Sequence, residues 1–166
     1  MNIMQIAKHM FAGRRLTYKH FSAETLRLIE ETIHDSELQH RGEIVVAIEA
    51  GLPMRALLEC RSPRERAIEV FSRLRVWDTE DNAGVLIYLL LVEGRIEIVA
   101  DRGVSNLVGE KYWRDVCRTI EDSLRIGEGK NAVLNGINLV SAYLKKHFPR
   151  ETPAKDAGLP DEPVIL

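Results

Sequence analysis

Residues 76–103 read VWDTEDNAGVLIYLLLVEGRIEIVADRG, and this stretch decides the fold of the chain. The part from 84 to 92 is almost entirely apolar, which is typical of a strand buried on both faces of a sheet. Residues 93–94 (Glu-Gly) have the composition of a two-residue turn, and residues 95–100 alternate isoleucine with charged side chains. The segment therefore predicts a β-hairpin whose first strand is fully buried.

A second strand is predicted upstream of this hairpin. Residues 43–50 read EIVVAIEA, with five apolar residues in a row, so they too are expected to lie inside a sheet that helices cover. Helices with an apolar stripe are predicted before and after both strands. Helices that alternate with buried strands give an α/β class, here a three-layer α/β/α sandwich around a small mixed sheet. A right-handed crossover makes the first strand parallel to the second.

The sequence predicts the first residues of two helices from their capping residues. Ser22 is an expected N-cap, and Phe21 and Leu26 stand at the two positions of a hydrophobic staple. Ser62 and Glu65 have the spacing of a capping box, with proline at the first helical position between them.

Three regions are predicted along the chain. Residues 1–20 form a basic N-terminal helical segment, residues 21–148 form the folded domain, and residues 149–166 form a Pro-rich extended tail. Residues 1–11 have apolar side chains at helical spacing, and no acid appears before Glu24. This helix is expected either to lie on a membrane surface as a peripheral contact or to fold back onto its own domain.

Composition excludes several classes of protein. The 166 residues carry 23 Lys and Arg against 25 Asp and Glu, a net charge of −2, which argues against a nucleic-acid-binding surface. The longest apolar run is far shorter than the roughly 20 residues of a transmembrane segment. No signal-peptide profile is present, so the protein is expected to be cytoplasmic.

Cys60 and Cys117 are the two cysteines of the chain, so one disulfide could form between them. In a reducing compartment they are expected to be free, buried thiols.

Two motifs have the spacing of known functional sites, but the predicted elements around them do not fit those sites. Residues 60–66 match the C-x5-R spacing of cysteine phosphatases, but the cysteine ends a helix-like stretch and a helix cap fills the loop. Residues 127–132 resemble a dinucleotide fingerprint, but they follow a helix where that fingerprint needs a strand.

An acidic loop before the central strand is the best candidate site. Residues 78–82 read DTEDN, which packs oxygen ligands suited to Ca²⁺ or Mg²⁺ into five positions. With a two-residue hairpin turn, Asp101 lies opposite Leu86 and beside this loop. The alternative is that these acids are solvated at the strand ends, or that they pair with Arg102 and cap neighbouring backbone. The candidate metal ligands are Asp78, Glu80, Asp81, Asn82 and Asp101.

The same residues resemble a known family. The runs 76–91 and 96–103, together with KHFP at 146–149, resemble the TPM domain, and the resemblance covers about residues 21–148. The ending LPDEPVIL resembles that of a short bacterial branch of the family. The resemblance implies an α/β/α sandwich and divalent-cation binding, for which Asp81, Asn82 and Asp101 are the matching residues. It also implies acid phosphatase activity, which is attributed to plant members.

Two functions therefore follow as hypotheses. The first is a TPM-like interaction or assembly module with a candidate divalent-cation site, which recruits a protein partner through the N-terminal helix or the apolar tail. The second is a divalent-metal-dependent acid phosphatase, in which the metal polarises a phosphate ester or activates water. The sequence offers no obvious nucleophile or general acid for the second.

Overall fold

A computed structural model describes residues 3–107, 109–151 and 158–166 of the chain. The helices are α1 (Ile3–Phe11), α2 (Arg14–His20), α3 (Ala23–Glu37), α4 (Met54–Leu58), α5 (Pro63–Arg73), α6 (Arg102–Ser105), α7 (Glu110–Arg125) and α8 (Gly129–His147). The strands are β1 (Glu43–Glu49), β2 (Gly84–Leu90), β3 (Arg95–Ala100) and β4 (Val164–Ile165).

The four strands form one mixed sheet in the order β3-β2-β1-β4. Strand β1 runs parallel to β2 and to β4, and β2 and β3 form the antiparallel hairpin. Helices cover both faces of this sheet, so the predicted α/β/α sandwich with a small mixed sheet is confirmed.

Alternation along the strands divides the core into two halves. One half joins every second strand residue, such as Val46 and Ile87, to the apolar stripes of α3, α7 and α8. The other half joins the intervening residues, such as Ala47 and Leu86, to α4 and α5. Because successive side chains of a strand point to opposite faces, uninterrupted apolar strands are what two helical layers require.

The predicted helix starts are confirmed. The Ser22 hydroxyl accepts a hydrogen bond from the backbone N–H of Thr25 at the start of α3. At α5 the Ser62 hydroxyl accepts from the Glu65 N–H at 3.2 Å, and the Glu65 carboxylate accepts from the Ser62 N–H at 2.7 Å. This reciprocal pair is a complete capping box.

The hairpin turn differs from the prediction. Strand β2 ends at Leu90, which pairs with Arg95, and the four residues between them form a 3₁₀ turn closed by Gly94 at φ 58°. Glycine adopts this left-handed conformation without the steric cost of a side chain. The strand pairing is therefore shifted by two residues, and Asp101 lies opposite Gly84, not Leu86.

Both ends of the chain contact the domain. The Leu52 N–H donates a 3.1 Å hydrogen bond to Nδ1 of buried His9 in α1, and Nε2 of that ring lies 3.0 Å from the Glu93 carboxylate. At the other end, the tail supplies β4 as the edge strand beside β1. Within the described part of the chain, no helix is long and apolar enough to cross a membrane.

The cysteines are both free, as expected, but their predicted burial is only partly correct. Cys60 is exposed at the end of the turn after α4, where it adopts φ 51°, whereas Cys117 is partly buried on α7. Cys60 is exposed because α4 ends at Leu58, so residue 60 lies beyond the buried part of that helix.

Candidate metal site at the start of the central strands

Backbone pairing brings the acidic loop and the end of the hairpin together. The Asp101 N–H donates to the Gly84 carbonyl at 2.8 Å, and the Gly103 N–H donates to the Asn82 carbonyl at 3.0 Å. Asp101 therefore lies beside residues 78–82, although about twenty residues separate them in the chain.

Two glycines make this close approach available. A Cβ atom at Gly84 would lie 1.8 Å from the Val76 carbonyl oxygen, and one at Gly103 would lie 2.6 Å from the carbonyl oxygens of both Asp81 and Asn82. Only glycine fits where backbone meets backbone at such distances. The loop is also fixed from within, because the Ala83 N–H donates to the Thr79 hydroxyl at 2.9 Å.

Asp101 is the most unusual member of the candidate site. Its side chain is only 7% exposed, and one carboxylate oxygen, Oδ1, caps α6 by accepting from the Arg102 N–H at 2.7 Å. The other oxygen, Oδ2, is buried and has no hydrogen-bond partner among the described residues. A buried carboxylate oxygen without a donor is costly, so a ligand is a physical reason for its position.

Asp81 already has a cationic partner. The Arg41 guanidinium lies 3.1 Å from Oδ1 and 2.9 Å from Oδ2 of this carboxylate. Arg41 lies two residues before β1, and Asp81 lies in the loop before β2, so the parallel pairing of the two strands brings them together. A cation bound through Asp81 would compete with this arginine.

The remaining predicted ligands are exposed. The side chains of Asp78, Glu80 and Asn82 face solvent, and Asn82 adopts the left-handed backbone conformation with φ 51°. In residues 3–107, 109–151 and 158–166, no three His, Cys, Asp or Glu side chains are arranged to share one ion. The buried Asp101 Oδ2 atom and the exposed carboxylates of Asp78 and Glu80 are oxygen donors of the type that hard cations bind.

A second carboxylate cluster lies at this edge of the sheet, where the predicted parallel strands place Glu43 but no sequence pattern identifies its neighbour Glu37. Glu43, the first residue of β1, lies beside Glu37 at the end of α3, and the two carboxyl groups share a hydrogen bond. Burial, reinforced by the charge of Glu43, raises the pKa of Glu37 to about 9, and burial also raises the pKa of Glu43. Glu37 and Glu43 stand six residues apart in different elements, so no local pattern marks them as neighbours.

The chain was compared with known proteins. The family model for the TPM domain matches residues 17–143. Among solved structures, the NMR structure of the BA42 protein from the psychrophilic bacterium Bizionia argentinensis is similar, with 26% sequence identity and a TM-score of 0.73. That match covers 87% of this chain and 94% of the other. No curated protein matches the chain.

Proposed function

This chain belongs to the TPM domain family, and we propose that it is a non-catalytic interaction module that binds one divalent cation, Ca²⁺ or Mg²⁺. The cation binds where the acidic loop meets the end of the hairpin. Its role is to hold the exposed acidic side chains of loop 78–82 against Asp101, so that the surface presented to a protein partner has one conformation.

One observation carries this proposal. Asp101 is buried, and its Oδ2 atom has no donor among the described residues, although the same side chain caps α6 through Oδ1. Capping alone needs one oxygen, so it does not account for burial of the second. A cation would compensate the buried negative charge.

The other ligands follow from their positions. Asp78, Glu80 and Asp81 would supply further carboxylate oxygens from the loop, and Asn82 would supply an amide oxygen. When bound, the cation supplies positive charge that draws these side chains together. Few charged ligands on an exposed loop predict weak binding, with a dissociation constant on the order of 10⁻⁴ to 10⁻³ M.

A calcium titration followed residue by residue in NMR spectra tests the proposal. Residues 78–84 and 101–103 should shift together, and a 100-fold excess of ligand over its dissociation constant should add about 2.7 kcal/mol of stability. Asp101→Asn keeps an oxygen for the cap but removes the charge, so it should weaken calcium binding at least about tenfold. Asp115→Asn, on the exposed side of α7, is the matched control and should leave binding unchanged.

Two results would contradict the cation site. Shifts confined to acids of the C-terminal tail, such as the half-buried Asp161 and the exposed Glu162, would show non-specific binding. Equal weakening by the Asp101 and Asp115 variants would show that only the net charge of the protein matters.

The catalytic alternative is a divalent-metal-dependent acid phosphatase, and the same variants decide it. Asp81 is paired with Arg41, and Asp78 and Glu80 are exposed, an arrangement that favours binding over catalysis. The purified protein is therefore expected not to hydrolyse an aryl phosphate with Mg²⁺ or Ca²⁺. If the protein hydrolysed the aryl phosphate, and if both a chelator and Asp101→Asn reduced that activity, the phosphatase function would be supported over the interaction module.

A further inference from the structure

An arginine-lined groove runs along the outer edge of β3, between α5 and α7, and has a volume of about 610 Å³. Its charged lining residues are Arg64, Arg95, Glu97, Arg114, Arg118, Glu121 and Arg125, and its other lining residues are Ile96, Ile98, Trp113 and Cys117.

The charge of this groove is local and unbalanced. Five arginines and two glutamates line it, whereas the whole chain has a net charge of −2. Glu121 lies 3.5 Å from Arg95 and 3.6 Å from Arg125, and Glu97 lies 3.8 Å from Arg64. Arg118 is exposed and makes no ion pair with another residue in the described part of the chain. Arg125 also pairs with Asp122 at 3.1 Å. Arg118 therefore offers the groove a positive charge that no described carboxylate neutralises.

The edge of β3 is not free to accept another strand. The Arg64 guanidinium donates to the Ile98 carbonyl, and the Ile96 N–H donates to the Glu121 carboxylate at 3.2 Å. An added peptide strand would have to displace both side chains. Recognition in this groove therefore goes through arginine side chains and not through main-chain pairing.

The floor of the groove is apolar and unreactive. Ile96 and Ile98 are nearly fully buried, and Trp113 packs edge-on against Tyr112 with ring centroids 5.3 Å apart. Burial raises the pKa of the Cys117 thiol to about 11, so this side chain is a neutral part of the wall and not a thiolate nucleophile.

We propose that this groove binds a small organic oxyanion, a molecule whose carboxylate or phosphate-type groups pair with the arginines while its apolar part lies against the half-buried Trp113 and Cys117. The arginine fork matches both kinds of anion through paired hydrogen bonds. The volume lies within the roughly 300–1,000 Å³ of ligand pockets, which also combine apolar walls with a few charged groups. This ligand site is independent of the proposed cation site.

Calorimetry at fixed ionic strength tests the ligand class with three aromatic probes. Phenylphosphonate and isophthalate each carry an oxyanion on a ring, and benzamide is the neutral counterpart. At least one of the two anions should bind, and benzamide should bind at least about tenfold more weakly. The phosphonate and the dicarboxylate arms identify which anion the arginines prefer. Equal binding of benzamide, or no binding of either anion, would overturn the proposal.

The site itself is tested by substitution and by fluorescence. Arg118→Ala should weaken binding of the preferred anion about tenfold, whereas Arg73→Ala, at the exposed end of α5, should not. The chain has two tryptophans, so a Trp77→Phe background leaves Trp113 as the reporter of groove occupancy. Anion binding that leaves Trp113 emission unchanged, or that Arg73→Ala weakens equally, would place the anion elsewhere.

Discussion

The backbone N–H of Leu159 donates a 3.0 Å hydrogen bond to Oε2 of Glu43, which fixes the C-terminal tail to the first residue of β1. Gly158 fits directly against the same carboxylate, because a Cβ atom there would lie 2.6 Å from it. Five residues further on, the tail becomes β4 and pairs with β1. The half-buried carboxylate at the start of β1, beside that of Glu37 at the end of α3, therefore holds the segment that completes the sheet.

This cluster makes the stability of the fold depend on pH. The pKa of Glu37 is raised to about 9 by burial and by the charge of Glu43, so the folded protein keeps a proton that the unfolded chain releases near 4.5. The resulting stability is fully present below about pH 4.5 and is lost as pH rises toward about 9. Glu37→Gln keeps the hydrogen bond from the Ile44 N–H and removes the titration. At pH 8 the variant should be more stable than the parent by on the order of 1–3 kcal/mol.

Chemical denaturation at pH 5 and pH 8 measures this difference. Glu30→Gln, an exposed residue of the same helix, is the control and should follow the parent at both values. If the Glu37 variant lost as much stability as the parent between the two values, Glu37 would not be the titrating group.

The pairing of β4 with β1 predicts that a charge placed in β4 will release the C-terminal tail. Ile165 packs against the core from β4, and the Leu166 N–H donates to the Ile48 carbonyl at 3.0 Å. Ile165→Asp places a charge against this apolar surface and should release the tail at a cost of about 1–3 kcal/mol. Hydrogen exchange at the β1 edge should then become faster, whereas the exposed control Glu162→Ala should leave it unchanged.

The sheet was predictable because its information is local. Apolar runs of strand length, a helix-capping box and the isoleucine alternation after Gly94 each lie within about ten residues. The hairpin register was not, because a turn of two residues and one of four have similar composition, and only the 3₁₀ geometry of Leu91–Glu93 decides between them. Strand β4 was missed as a strand because two residues carry no periodic pattern.

Only part of the candidate site could be predicted from the sequence. The hairpin brings Asp101 to the acidic loop in either register, so that juxtaposition follows from sequence. The burial of Asp101 does not, because it depends on packing around a strand end. The pairing of Arg41 with Asp81 joins residues forty positions apart, and only the parallel strands bring them together.

A buried ion pair between the sheet and α5 predicts the largest stability losses. The Arg66 guanidinium donates to both oxygens of Glu49, at 3.0 and 2.7 Å, and the Tyr88 hydroxyl donates to the same carboxylate at 2.5 Å. Arg66→Ala leaves the buried carboxylate uncompensated and should cost about 3–5 kcal/mol. Tyr88→Phe removes one hydrogen bond to a charged group and should cost about 1.5–3 kcal/mol. Urea denaturation measures both, and an Arg66 variant as stable as the exposed Arg73→Ala control would show that the pair contributes nothing.

The positive charge of Arg41 and that of a bound cation would act on the same acidic loop. Arg41 holds the Asp81 carboxylate with contacts of 3.1 and 2.9 Å, and it is half-exposed, so its replacement does not open the core. If the loop binds calcium, Arg41→Ala removes a competing positive charge and should tighten calcium binding about threefold to tenfold. That range corresponds to roughly 1 kcal/mol, the interaction of two surface charges about 4 Å apart in water. Arg27→Ala removes another exposed arginine, from α3, where its partner is Glu31, and should leave calcium affinity unchanged. Calorimetric titration of both variants measures the change, and weaker binding in the Arg41 variant would mean that this arginine organises the loop and does not compete with the cation.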